Sequence, residues 1–250
     1  MLEITSPHNP KFKAARLLLD ARGIKKSGQC LIFGEKVIRD YLKSQKPVEA
    51  IFVPESSAYA HIFLEDLKTE NIVQLSSALF KELDIFKTSF PILWVPVPKI
   101  SPWEPDAPTS GLELFCAMGD PGNLGAMVRS AKAFGVSSVV LLKECVHPFL
   151  PKVVRSSVGS VFSLPLQIGP SINDLAGEFV ALDMTGENLF QFDWPKNLRL
   201  LSGEEGLGIP KGLDVKRLSI PMETGLESLN VMVATSIALS QHYQKTKKQY

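Results

Sequence analysis

The sequence has little cysteine, little histidine and almost no net charge. Its three cysteines, Cys30, Cys116 and Cys145, are odd in number and lack CxxC spacing, which excludes a disulfide framework and a zinc ribbon. They read as reduced, mostly buried thiols. His8, His61, His147 and His242 are too scattered to make a metal site, so no metal is expected. No apolar run reaches the roughly 18 residues that a membrane-spanning helix needs, and repeats and low-complexity tracts are also missing. The opening MLEITSPHNPKFKAARLL has no apolar signal-peptide core. The resulting expectation is a cytoplasmic protein.

A net charge of +1 does not advertise a partner for nucleic acid, but the charge is unevenly placed. The first fifty residues hold ten lysines and arginines against five acids, which leaves the remainder slightly negative. Lys11, Lys13 and Arg16 belong to this excess. They are either a solvated helix face or a surface for phosphates. The composition, 45% hydrophobic and 21% charged, is that of an ordinary globular chain with a real core.

Pattern reading divides the chain into residues 1–95, a proline-rich extended linker at 96–110, and 111–250. The first part reads as a small α/β domain. Helices are expected at Asn9–Arg22, Glu35–Leu42, Ile62–Lys68 and Ser76–Leu83, with strands at 30–33, 50–53, 71–75 and 92–95. From Leu112 strand and helix alternate, with strands at 112–118, 138–142, 164–168, 179–184, 198–202 and 217–220. Helices fall at Asn123–Phe134, Lys152–Val161 and Ile172–Glu178, and a long one ends the chain. Such alternation predicts a Rossmann-like parallel sheet with helices on both faces.

Three stretches of this second part carry chemistry. Asp120-Pro121-Gly122-Asn123-Leu124-Gly125 lies between a strand and a helix, whose N-terminal amides favour an anion. Arg129 stands off that helix's apolar side, as a surface ion-pair partner or a fixed cation in a cleft. Ser202-Gly203-Glu204-Glu205-Gly206-Leu207-Gly208 is a glycine-rich loop after a strand, an ordinary turn unless a ligand approaches its backbone. The stretch Ser219-Ile220-Pro221-Met222-Glu223-Thr224-Gly225-Leu226-Glu227-Ser228-Leu229-Asn230-Val231 is a strand end, a turn and a helix start. Ser228 is the expected N-cap, and the helix is apolar nearly all round over its first turns, hence expected to be buried, in the core or against a second subunit. Asn230 inside it needs partners for its amide.

Taken in order, these three stretches resemble the three signatures of the SpoU/TrmH family of the SPOUT superfamily, RNA ribose 2′-O-methyltransferases that use S-adenosyl-L-methionine. The resemblance covers roughly the last 140 residues. It implies that the C-terminal domain carries the SPOUT trefoil knot, which periodicity would not suggest, and works as a homodimer. It implies Arg129, Asn230, Glu205 and Ser228 as catalytic residues. Leu182, Met184, Gly203, Ile220, Met222 and Leu229 would bind the cofactor, and Asn123 and Arg155 would meet RNA. SPHNPKFKAARLL and LIFGEKVIRDYL resemble the small RNA-binding domain that precedes the methyltransferase domain in many members, so Lys11, Lys13 and Arg16 would also meet RNA. The usual Pro-Gln-Gly turn is missing near Phe86–Pro91, and Ser160 stands where the family usually has Ala. The implied substrate is structured RNA, ribosomal before transfer RNA. The alternative is an inactive RNA-binding or ribosome-assembly protein of the same fold. A nicotinamide-dependent Rossmann enzyme is disfavoured, because the first strand–helix turn lacks GxGxxG.

Overall fold

The computed structural model describes residues 1–55, 72–223, 225 and 228–246. The expected helix at 62–68, the start of the strand at Asn71, Thr224, Leu226 and Glu227 of the third stretch, and the last four residues lie outside these. The chain forms two compact units, residues 1–98 with 149–159, and residues 99–148 with 160–250.

In the first unit β1 (Leu2–Ile4), β2 (Gln29–Ile32), β3 (Ala50–Pro54), β4 (Ile72–Leu75) and β5 (Ile92–Pro96) form one sheet in the order β1-β4-β3-β5-β2. β1, β4 and β3 run parallel, and β5 is antiparallel to both β3 and β2. The helix expected at 9–22 is two helices, α1 (Pro10–Leu17) and α2 (Ala21–Ser27). Asn9 caps the first, its Oδ1 accepting from the Lys11 and Phe12 amides at 2.9 and 3.4 Å. The break is set by Asp20, whose side chain caps α2 by accepting from the Gly23 amide at 2.9 Å. α3 (Glu35–Lys43) and α4 (Ser77–Leu83) follow expectation within a residue or so. Phe12, Leu31, Phe52, Leu75 and Phe80 anchor the core.

The second unit holds β6 (Ser101–Pro102), β7 (Leu112–Cys116), β8 (Ser138–Leu141), β9 (Leu166–Ile168), β10 (Val180–Asn188), β11 (Leu198–Ser202) and β12 (Lys216–Ser219). They make a seven-stranded sheet in the order β12-β10-β11-β7-β8-β9-β6, parallel at every pairing. The parallel α/β architecture is therefore the one the alternation predicts. α5 (Pro121–Ala133) follows β7, and α7 (Val231–Thr246) packs on it. Among the described residues no helix is long and apolar enough to cross a membrane.

Four expectations need correction. Residues 96–110 are not all linker. Ser101–Pro102 adds the edge strand β6 to the second sheet, and Trp103 is buried against Phe115, ring centroids 5.0 Å apart. Burying a large aromatic outweighs the proline content around it. Residues 149–159, assigned by pattern to the second part, belong to the first unit. There α6 (Pro151–Ser156) stacks the Arg155 guanidinium 4.3 Å over the Phe86 ring, and Gly159 abuts Val37. The helices expected at 152–161 and 172–178 are shorter, and Ser160–Phe162 and Ile172–Asp174 are single 3-10 turns. Finally, α7 is not buried all round within its own chain. Thr235, Ala238, Leu239 and His242 form one buried stripe at helical spacing, while Val233 is 40% exposed.

Candidate active site

The parallel ladder sets β10 between β11 and β12, and residues 182–185 of β10, with the segments leaving β11 and β12, line a cavity of about 830 Å3. Crevices beyond the carboxyl ends of parallel strands are where such sheets bind ligands. Each segment has its own device.

The loop after β11 begins at Gly203 and closes on itself. Glu204 and Gly208 exchange amide-to-carbonyl bonds of 3.1 and 2.9 Å. A Cβ at Gly203 would lie 2.6 Å from the Gly208 carbonyl carbon, so only glycine lets the loop fold back this tightly. Glu205, Gly206 and Leu207 at its tip are exposed and line the cavity. β11 itself ends in buried Ser202, whose hydroxyl lies 2.9 Å from that of Thr235 on α7. That bond pins the start of the loop to the last helix.

α7 is capped by Asn230, not by the expected Ser228. The Asn230 Oδ1 accepts from the Met232 and Val233 amides at 2.9 and 3.3 Å, so this side chain satisfies two of the helix's orphan donors. The amide nitrogen remains as a donor at the cavity wall, where Ser228, Leu229 and Asn230 all stand. Ser236 of the same helix donates to Ser130 of α5 at 3.0 Å.

α5 starts at Pro121 under an Asp120 cap, whose Oδ1 accepts from the Asn123 amide at 2.8 Å. Asn123 Nδ2 in turn donates to Glu205 Oε1, which joins the first and second stretches. Leu124, Met127, Val128 and Ala131 are buried, and Arg129 is exposed with no ion pair among the described residues.

The structure thus brings Leu182, Met184, Gly203, Ile220, Met222 and Leu229 around one cavity, with Ser228, Asn230 and Glu205 on the same lining. Asn123 reaches that lining through Glu205. Arg129 does not line it. Lys11, Lys13, Arg16 and Arg155 belong to the first unit. Arg16 is already paired with Glu82 at 2.6 Å, and Arg155 is exposed over Phe86. Pattern reasoning missed Arg217, which also lines the cavity and is paired with Asp183. The available signal was an arginine inside a short strand, directly before Leu218 and Ile220, a position that calls for a charged partner.

Among the described residues no group of three His, Cys, Asp or Glu side chains could hold a metal ion. The lining mixes apolar side chains with loop backbone and has room for a nucleoside-sized molecule. Apolar Leu182, Ile220 and Leu229 suit a flat base, and the amides of the 203–208 loop suit its edge and a ribose.

Comparison with known proteins bears on this geometry. The sequence profile described as the SpoU rRNA Methylase family matches residues 114–240. A Bacillus subtilis protein named 23S rRNA (guanosine(2553)-2′-O)-methyltransferase RlmP is 31% identical over 248 residues, 95% of this chain and 97% of its own. A Syntrophobacter fumaroxidans protein named ribosomal RNA small subunit methyltransferase G 2 is 33% identical over 247 residues, 95% of this chain. The chain spans about half the length of that relative, 48%. Among solved structures, the SpoU methyltransferase AviRb from Streptomyces viridochromogenes, in complex with AdoMet, superposes with a TM-score of 0.76 at 25% identity. That superposition covers 95% of this chain and 98% of AviRb.

Proposed function

This chain belongs to the SpoU rRNA methylase family, and from that premise we propose that it transfers the methyl group of S-adenosylmethionine to a ribose 2′-hydroxyl of ribosomal RNA. The observation that carries the reading is the cavity itself. Nine residues drawn from four separated segments, chosen for this chemistry on sequence grounds, meet on one lining.

The sulfonium of the cofactor supplies an electrophilic methyl group when bound. The chain must hold that molecule, place the hydroxyl in line and ease loss of its proton. The apolar wall and the Gly203–Gly208 loop do the holding. The Asn230 amide nitrogen and the Ser228 hydroxyl offer donors at the wall, and Glu205, steadied by Asn123, offers an acceptor. Arg129 is a fixed cation on the helix that Asn123 begins, suited to a phosphate or a developing alkoxide. The first unit supplies the basic surface for RNA, with Lys11, Lys13 and Arg16 on or beside α1.

Two further expectations belong to the same proposal. The trefoil knot is supported by the loops after β11 and β12 lining one cavity with the start of α7. A homodimer through the second unit is supported by the half-buried flank of α7, where Val233 leaves apolar surface in water. Removing residues 1–100 should leave a fragment that sediments as a dimer at micromolar concentration, and a monomer would refute it.

The decisive experiment incubates the chain with methyl-labelled S-adenosylmethionine and unmodified ribosomal RNA. Label should enter one nucleotide and make the bond on its 3′ side resistant to alkaline cleavage, since the 2′-oxygen is blocked. Label on a base, or RNA bound without label, would overturn the reading, the latter in favour of a binding protein.

A further inference from the structure

We infer that Arg217, partnered by Asp183, is a positioning residue that ties two walls of the cavity together, an inference that rests on the cofactor reading above. β10 pairs with β12 through Leu182 opposite Leu218, and pairing resumes with Glu187 opposite that same Leu218. The four residues between, Asp183 to Gly186, are extruded from the ladder as a bulge. Asp183, Met184 and Thr185 of the bulge line the cavity.

The bulge is held from its flank by β12. Gly186 has φ +140° and packs so closely on the Arg217 carbonyl that a Cβ would sit 2.3 Å from its oxygen. The Ser219 hydroxyl donates to the Gly186 carbonyl at 3.2 Å. Within the bulge the Asp183 carboxylate accepts from the Thr185 amide at 3.3 Å and forms an ion pair with one terminal nitrogen of Arg217. The other terminal nitrogen of that guanidinium donates to the carbonyls of Pro210 and Leu213, at 3.1 and 3.4 Å. Those carbonyls belong to the chain that leaves the Gly203–Gly208 loop.

One planar fork on β12 therefore fixes the bulge within β10 and the loop after β11 at once. The two walls need such a tie, because their tips are not packed: Met184 is 50% and Leu207 79% exposed. The Arg217 and Asp183 side chains are themselves only 22% and 20% exposed, so the pair is largely desolvated and either partner alone would be an uncompensated charge. A lysine at 217 could keep the ion pair but could not also reach the two carbonyls with a fixed fork.

The test compares the full chain with Arg217→Gln, Arg217→Lys, Asp183→Asn and the Arg217→Gln/Asp183→Asn double variant. S-adenosylmethionine binding is measured by calorimetry, kcat and KM on unmodified ribosomal RNA, and amide exchange at residues 183–186 and 203–213. Loss of a charge-assisted bond predicts a Kd weaker by about tenfold or more in each neutralising single variant. KM for the cofactor should rise by the same factor while kcat falls much less. Arg217→Lys should lie between, and the double variant should bind no worse than the weaker single, because both remove one interaction. Exchange should speed up in both walls. Parental affinity in both single variants would overturn the inference. So would lost affinity in Arg217→Gln alone, which would make Arg217 a direct ligand contact. If Arg217→Gln does not fold, Arg217→Lys and the isosteric Asp183→Asn decide. If the parent binds no cofactor, the cofactor reading fails by itself. Exchange then decides the tie, since unchanged protection in one wall on breaking the pair would overturn it.

Discussion

The Asn123 side-chain amide donates to the Glu205 carboxylate, and this bond couples the first turn of α5 to the tip of the loop after β11. β7 and β11 are adjacent in the sheet, so the loops that follow them lie side by side. The exposed loop tip gains an anchor, and the carboxylate gains a defined orientation beside the cavity.

That coupling makes a specific prediction. Asn123→Ala frees Glu205 and should lower methyl transfer by roughly tenfold to a hundredfold, the scale of losing one oriented polar group at a reacting centre. Asn123→Asp should be worse than Ala, because it sets a second carboxylate against the first. The comparison of kcat/KM for the two variants checks this, and an aspartate variant as active as the parent would remove the pair from the mechanism.

Trp103 offers a test in the second unit's core. It sits edge-on to Phe115, which is edge-on to Phe179 at 4.9 Å, and the Arg199 guanidinium lies 5.2 Å over its ring. Truncating a buried aromatic in such a cluster removes about 3 kcal/mol or more. Trp103→Ala should therefore lower the denaturant midpoint of the second unit, although the residue lies in a proline-rich stretch.

What could be read from the sequence, and what could not, follows from how far apart the partners lie. Gly203, Glu205, Leu229 and Asn230 were legible because each sits in a short run that resembles a family signature; residue type and spacing alone read the same runs as a glycine turn and a capped helix. Arg217 was not, since its partners Asp183 and Pro210 are set by β10 lying between β12 and β11. That order follows from no local pattern. Helix caps show the same limit at short range. Ser228 and Asn230 are both good caps, and only the position of the first helical turn decides for Asn230. The β-strands were found because apolar runs mark them. The two-residue β6 and the three-residue β1 were lost, because their pairing is supplied by neighbours rather than by their own residues.

Cys30 gives the first unit an alkaline liability. Burial pushes its thiol well above the ordinary 9.0, and Tyr41 is pushed up to about 12 by burial and by the adjacent Cys30. The folded chain keeps these protons where the unfolded chain releases them. The stability is thus fully present below the ordinary thiol value and is lost as pH rises above it toward the folded values. The thermal midpoint should fall progressively above about pH 9, and Cys30→Ala should flatten that limb even if it lowers the midpoint throughout. An unchanged slope in the variant would trace the loss to other groups.

Arg129→Ala should leave the fold intact, since the side chain is exposed and forms no ion pair among the described residues. Because Arg129 stands off the cavity lining, cofactor affinity should stay near parental, whereas methyl transfer should fall by about a hundredfold or more. Arg129→Lys separates charge from shape. A largely active lysine variant means that a cation suffices, and an inactive one means that the planar fork or its protons matter. Parental turnover in Arg129→Ala would remove Arg129 from the site.

The basic surface of α1 should reveal itself through salt. Lys13 is exposed, so a phosphate contact there releases a counterion, and Lys13→Gln should reduce the slope of log K against log salt by about 1. Arg16 differs, because it is already paired with Glu82 at 2.6 Å and must share or leave that carboxylate to meet a phosphate. Arg16→Gln should therefore change the slope less than Lys13→Gln does, and Glu82→Gln should strengthen RNA binding by freeing the guanidinium. Neutralising Lys11, Lys13 and Arg16 together should weaken RNA binding while S-adenosylmethionine affinity stays at the parental value, since the cavity is lined by the second unit alone. Filter binding of ribosomal RNA between about 50 and 200 mM salt measures all four variants, in the range where phosphate contacts change affinity most. An unchanged slope in the triple variant would show that these side chains only solvate the helix, and the RNA would have to be held elsewhere.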